Sequence, residues 1–150
     1  FREHIKEKVR DRELSEDRIE QGLEYFTRSY VEAQETFQRM REAGVRIACG
    51  TDVDASTERP NSLPMYAARN ELKWFVEFGM TPEEAIAAAT RNSAEACGLL
   101  KRTGTLEKGK FADLLVLESS PLEDIGAVDD ISLVMKEGEI VRGLETGVTK

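Results

Sequence analysis

The chain has 150 residues, 40% apolar and 33% charged, which suits one domain with a real core and excludes both disorder and a membrane-embedded protein. No apolar stretch approaches the roughly 20 residues that a bilayer span requires. The 29 acidic residues outnumber the 21 basic ones and leave a net charge of −8, which argues against nucleic acid as the main partner, since phosphate binding needs a basic footprint. The start, Phe1-Arg2-Glu3-His4, has neither an initiator Met nor the apolar core of a signal peptide, so a chain cut from something longer is expected. Cys49 and Cys97 stand far apart among small or apolar neighbours. Both are expected as buried free thiols rather than a disulfide framework, in a reducing, cytoplasmic compartment.

From Ser15 to Gly44 the pattern predicts one long helix. Ser15 is the N-cap, Glu16 and Asp17 put negative charge in the first turn, and Arg39 and Arg41 suit the last. Ile19, Leu23, Phe26, Tyr30, Ala33, Phe37 and Met40 alternate spacings of four and three and form one stripe. Packing against a sheet explains that stripe better than a coiled-coil seam, because two of its positions are Tyr and Ala and the repeat runs into an apolar segment. Gly44 takes the left-handed position after the helix.

Val45 to Cys49 follows without a linker and reads as a strand apolar on both faces, as in a parallel sheet covered by helices. Residues 53 to 64 form a polar loop. A helix is expected from about Met65 to Phe78, with Leu72, Phe75 and Val76 inward and Gly79 closing it. Thr81-Pro82-Glu83-Glu84 is a capping box with Pro at the first helical position. The helix it opens is Ala-rich from Ala85 to Cys97 and ends at Gly98. Gly104 to Lys110 is a turn-rich connection. Strands follow at Ala112 to Leu117, Ile131 to Lys136 and Glu139 to Arg142, the last two joined by a tight turn at Glu137-Gly138.

In sheets and barrels of parallel strands, reactive groups sit where strands end at the C-terminal edge. Asp52, following Gly50-Thr51, occupies that place. A carboxylate there can ligate a cation or shuttle a proton, or it can simply tie down the turn; the triplet leaves both open.

A wider set of segments resembles the C-terminal part of an amidohydrolase-superfamily enzyme. They are Gly44 to Asp52, Glu71-Leu72, Gly79 to Ile86, Ala88 to Ala94, Gly104 to Leu117 and Pro121 to Ile125. The imidazolonepropionase-like and Xaa-Pro-dipeptidase-like branch is the most similar, over about residues 40 to 142. The resemblance implies an α/β fold: the C-terminal part of a (β/α)8 metal-dependent hydrolase barrel, plus the C-terminal strands of its β-sandwich domain. Residues 1–102 would hold the last helix-strand-helix units of the barrel and 103–150 the sandwich part. It also implies that Asp52 is both catalytic and a metal ligand: it binds a catalytic metal, usually zinc, and moves the proton of the metal-activated water. Asp113, in the Gly109 to Asp113 segment, is implied to be structural.

The family's His-x-His pair, shared Lys or Glu and two further histidines have no counterpart here. The single histidine, His4, lies outside any ligand spacing and reads as solvated. In the loop after Asp52, where relatives often carry a histidine, stand Asn61, Ser62 and, further on, Arg69; Asp54 and Glu58 read as solvated loop carboxylates. The expectation is therefore a C-terminal fragment of an enzyme that hydrolyses C–N bonds. The intact parent would use zinc or another divalent metal, while this chain alone would bind none tightly and be inactive. Its partners would be the missing N-terminal part of the same protein, a second copy in a homo-oligomer and, in the parent, a small-molecule substrate, with no nucleic acid and no membrane. The rivals are a non-enzymatic helical/β interaction module working through the 19-to-40 stripe, and a relative that lost its metal site.

Overall fold

The computed structural model describes residues 15–51 and 64–143. The chain divides into two compact units between Val45 and Arg46. The first holds helix α1, Glu16–Glu42, as the stripe predicts. Ser15 is the N-cap residue by backbone conformation, but its side chain makes no capping bond. Among the stripe residues whose burial is described, Leu23 and Phe37 are buried, whereas Ala33 and Met40 are exposed. The helix ends in a Schellman motif: the Gly44 N–H bonds to the Arg41 carbonyl and the Val45 N–H to the Met40 carbonyl, both at 2.9 Å. Among the described residues no helix is long and apolar enough to cross a membrane.

In the second unit, α2 (Pro64–Glu77) is followed by α3 (Pro82–Ala87). A second Schellman motif, Gly79 N–H to Val76 and Met80 N–H to Phe75, closes α2. The capping box then opens α3 reciprocally: the Glu84 N–H donates to Thr81 Oγ1 at 3.2 Å and the Thr81 N–H to Glu84 Oε2 at 2.8 Å. The expected continuous helix to Cys97 is instead interrupted. Residues Ala88–Asn92 form one π turn before α4, Ser93–Ala96. A π turn widens the helix by one residue and turns a carbonyl away from the i→i+4 ladder. Here the Ala88 carbonyl accepts the Ser93 hydroxyl at 2.8 Å and the Cys49 N–H at 3.3 Å.

The small residues Ala85, Ala88 and Ala94 face inward, with Phe75 and Phe78 of the preceding helix region and with Ile125, Ala127 and Val128 of a 3-10 turn, Ile125–Asp129, that packs on α2. Arg69 and Lys73 of α2 both pair with Asp129 of that turn. Cys97 is exposed rather than buried. It is the C-cap of α4, one residue beyond the last helical position, and Ala94 takes the inward-facing place.

Strands β1 (Leu114–Leu117), β2 (Ile131–Lys136) and β3 (Glu139–Arg142) form an antiparallel sheet in the order β1-β2-β3. Lys136 pairs with Glu139 across the expected two-residue turn, and both turn residues have positive φ, 52° at Glu137 and 89° at Gly138. That is the conformation of a type I′ hairpin, and it is strained for a glutamate. The strain is offset by the preceding segment: Asp113 Oδ1 accepts the Glu137 N–H at 2.8 Å and the Ala112 carbonyl accepts the Gly138 N–H at 3.2 Å. Asp113 Oδ2 also accepts from the Thr103 hydroxyl at 2.8 Å. Asp113 is thus a structural carboxylate that fastens the connection before β1 to the hairpin.

Candidate functional site

The segment Arg46 to Thr51 leads into Asp52. Apolar residues at 45 and 47–49 make it read as a strand, but it forms no ladder among the described residues. A ladder needs a strand beside it; here the backbone groups are taken by side chains from α2 and the π turn–α4 region instead. Asn92 Nδ2 donates to the Ile47 carbonyl at 2.8 Å. Ser93 Oγ accepts the Cys49 N–H at 3.1 Å and lies 3.3 Å from the Cys49 carbonyl. Both oxygens of the Glu71 carboxylate lie 3.2 Å from the Gly50 nitrogen and share its N–H. The Cys49 thiol donates to Glu71 Oε2 at 2.9 Å. Arg46 pairs with Glu95 of α4. Four of the five residues from 46 to 50 are thereby anchored, two of them by consecutive peptide N–H groups.

The π turn makes this arrangement possible. Within it the Ala88 carbonyl is taken by the Ser93 hydroxyl and the Cys49 N–H, while Asn92 and Ser93 each reach a different backbone group of segment 46–50. Asn and Ser in the middle of an Ala-rich helix are poor helix formers unless their side chains find backbone partners, and here both do. The electrostatics follow from the same contacts. Partial burial, followed by the hydrogen bond and negative charge of Glu71, pushes the Cys49 thiol up from 9.0 to about 12. Cys49 is therefore a neutral hydrogen-bond donor at physiological pH, not a nucleophile.

Asp52 lies outside the described residues, as do His4, Asp54, Glu58, Asn61 and Ser62. Arg69 is described, and its guanidinium pairs with Asp129. Sequence reasoning singled out none of Glu71, Asn92 and Ser93 for a role, although all three fall in the segments that carry the resemblance. Their signal was local: an Asn-Ser pair interrupting an alanine run, and a glutamate whose neighbours in the helix, Leu72 and Phe75, turn inward.

Among the described residues no three His, Cys, Asp or Glu side chains converge on a point where a metal could sit. Cys49 and Glu71 touch as a hydrogen-bonded pair, and no third His, Cys, Asp or Glu among the described residues joins them. The described donor set therefore does not fit a catalytic zinc, which takes three protein ligands.

The chain matches the amidohydrolase family model over residues 7–141. It belongs to the amidohydrolase family. Within it, the chain is 40% identical over 114 residues to an imidazolonepropionase of Shouchella clausii, covering 73% of this chain and 24% of that one. It is 39% identical over 112 residues to an ochratoxinase of Aspergillus niger, covering 71% and 22%. Among solved structures, a Xaa-Pro dipeptidase with methionine bound in its active site superposes with a TM-score of 0.67 at 27% identity, over 95% of this chain and 32% of the other. The chain thus spans about a quarter of the length of the curated relatives it matches.

Proposed function

We propose that this chain is the C-terminal part of a metal-dependent amidohydrolase, and that the intact protein hydrolyses a C–N bond in an amide, a cyclic amide or a dipeptide. The observation that carries the reading is the family match together with the anchored segment 46–50, whose polar clamps hold the chain that enters Thr51-Asp52. In this reading Asp52 supplies one carboxylate to a divalent-metal site, zinc being the expected ion, whose other ligands lie in sequence beyond these residues. Alone, the chain holds no metal tightly and hydrolyses nothing.

Residues 1–102 would contribute the last helix-strand-helix units of a (β/α)8 barrel and 103–150 part of a β-sandwich. The mixed architecture of the described residues supports this. So do β1 and β3, which expose Leu115, Val116, Ile140 and Val141 at the two edges of the small sheet. Edges of that kind need a strand or a cover, and the rest of the same protein, or a second copy, would supply it. The acidic balance speaks for a small-molecule substrate and against nucleic acid, and two free cysteines agree with a reducing, cytoplasmic location.

The test uses the intact protein and a panel drawn from the names of its relatives: the imidazolone acid, ochratoxin and Xaa-Pro dipeptides. Turnover of at least one member, abolished by chelation and restored by zinc or another divalent cation, is expected. Turnover that survives complete metal removal, or none across the panel, would contradict the reading.

A further inference from the structure

We propose that Glu71 is a positioning residue: its carboxylate fixes the Cys49–Gly50 peptide, two residues before Asp52 in sequence. The proposal rests on the hydrolase reading above and adds a residue to it. Glu71 projects from α2, while Ser93 projects from the start of α4, after the π turn. Ser93 holds the Cys49 N–H and Glu71 holds the Gly50 N–H, so two separate helices grip two consecutive peptide units. A peptide N–H at each of two neighbouring residues, each held by a different rigid element, fixes the torsions between them. A scaffold built this way fixes the backbone immediately before Thr51, two residues ahead of Asp52 in sequence.

The chemistry of the pair explains why a carboxylate is used. Its two donors, the Gly50 N–H and the Cys49 thiol, are both neutral and adjacent in sequence, so one acceptor group serves both. The thiol remains protonated and supplies its hydrogen bond throughout the physiological range. Nothing in this arrangement asks Glu71 to exchange a proton or to bind a cation. Its role is geometric, and it differs from that of a general base, which would need its charge for chemistry.

Three variants of the intact enzyme separate the possibilities, each normalised to metal content. Glu71→Ala removes the acceptor, and kcat is expected to fall about 10- to 100-fold with KM little changed, as for a displacement of roughly 1 Å at a reacting group. Glu71→Gln keeps an amide oxygen in the same place and is expected to retain kcat within about fivefold, because the acceptor survives and only the charge assistance is lost. Glu71→Asp keeps the charge but withdraws it by one methylene. It should lose kcat like Glu71→Ala, which keeps the proposal falsifiable if the alanine variant does not fold. Independently of turnover, hydrogen exchange of the peptide covering residues 45–51 should quicken at least about tenfold in Glu71→Ala while peptides of α3 remain unchanged.

Unchanged kcat in folded Glu71→Ala or Glu71→Asp overturns the positioning role and leaves the hydrolase reading intact. So does a Glu71→Gln enzyme as impaired as Glu71→Ala, since the charge would then be what matters. A wild-type protein that hydrolyses nothing would instead overturn the hydrolase reading, and the positioning role with it.

Discussion

Gly104 sits where the turn-rich connection crosses the π turn and α4, and replacing it with alanine should be far more damaging than its place in a loop suggests. Its φ is +93°, and a Cβ built there would lie 2.4 Å from the Ala94 Cβ, 3.1 Å from the Thr90 carbonyl oxygen and 3.4 Å from the Arg91 Cα. Positive φ costs a residue with a Cβ roughly 1–2 kcal/mol. The clash adds to this, because Ala94 has no rotamer to move and is itself buried. Relief requires a shift of backbone, and overpacking of that kind costs about 1–3 kcal/mol. Gly104→Ala should therefore destabilise by about 2–5 kcal/mol. Gly109 is the internal control, with φ +95° and nothing within 4 Å of the same hypothetical atom. Gly109→Ala should show the conformational part alone, about 1–2 kcal/mol. Urea unfolding of both variants measures the difference, and adding Ala94→Gly to Gly104→Ala should recover much of the clash but none of the strain. Equal destabilisation by the two glycine substitutions, or no recovery in the double variant, would refute the close approach between the connection and α4.

Two further expectations concern titrating groups. Native protein treated with iodoacetamide near pH 8 should alkylate at exposed Cys97 and not at Cys49, whose thiol is held protonated by burial and by Glu71; equal labelling in the folded state would be inconsistent with the Cys49–Glu71 pair. The Glu137 N–H, and after it the Thr103 hydroxyl, hold the Asp113 carboxyl below its ordinary value of 3.8. A lowered folded pKa contributes stability that is present above the unfolded value and is lost as pH falls through the folded one. Asp113→Asn should flatten the loss of stability below about pH 4 relative to wild type, and an unaltered acid limb would remove Asp113 from the hairpin's support.

The helix boundaries, the capping box and the hairpin were legible because each depends on residues close in sequence. Thr81 and Glu84 satisfy one another, Gly44 and Gly79 end helices through their own last turns, and Glu137-Gly138 sets the register of β2 and β3 locally. The features that escaped the sequence depended on partners far along the chain. Val45 to Cys49 has the composition of a buried strand, yet the Ile47 carbonyl goes to Asn92, the Cys49 N–H to Ser93 and the Ala88 carbonyl, and the following Gly50 N–H to Glu71. Composition reports that a segment is apolar; it does not report whether a strand or a row of polar side chains lies beside it. The π turn was hidden for a related reason, since alanine suits either helical form and the choice is made by Ser93 and the peptide of Cys49. Cys97 was misplaced because its small neighbours suggested a core, while the helix ends one residue before it. The chemistry was legible only through the resemblance, which drew attention to Asp52 and to the motifs that surround it.

The hydrolase reading turns on Asp52 acting as a catalytic carboxylate in an intact metal-dependent enzyme. The decisive quantity is kcat of the intact Asp52→Asn enzyme on the best substrate of the panel, with bound metal quantified in parallel. A fall of about a thousandfold or more is expected, the scale of losing a positioned proton carrier, together with a weakened hold on the metal. Activity within about tenfold of wild type at equal metal content would contradict the assignment.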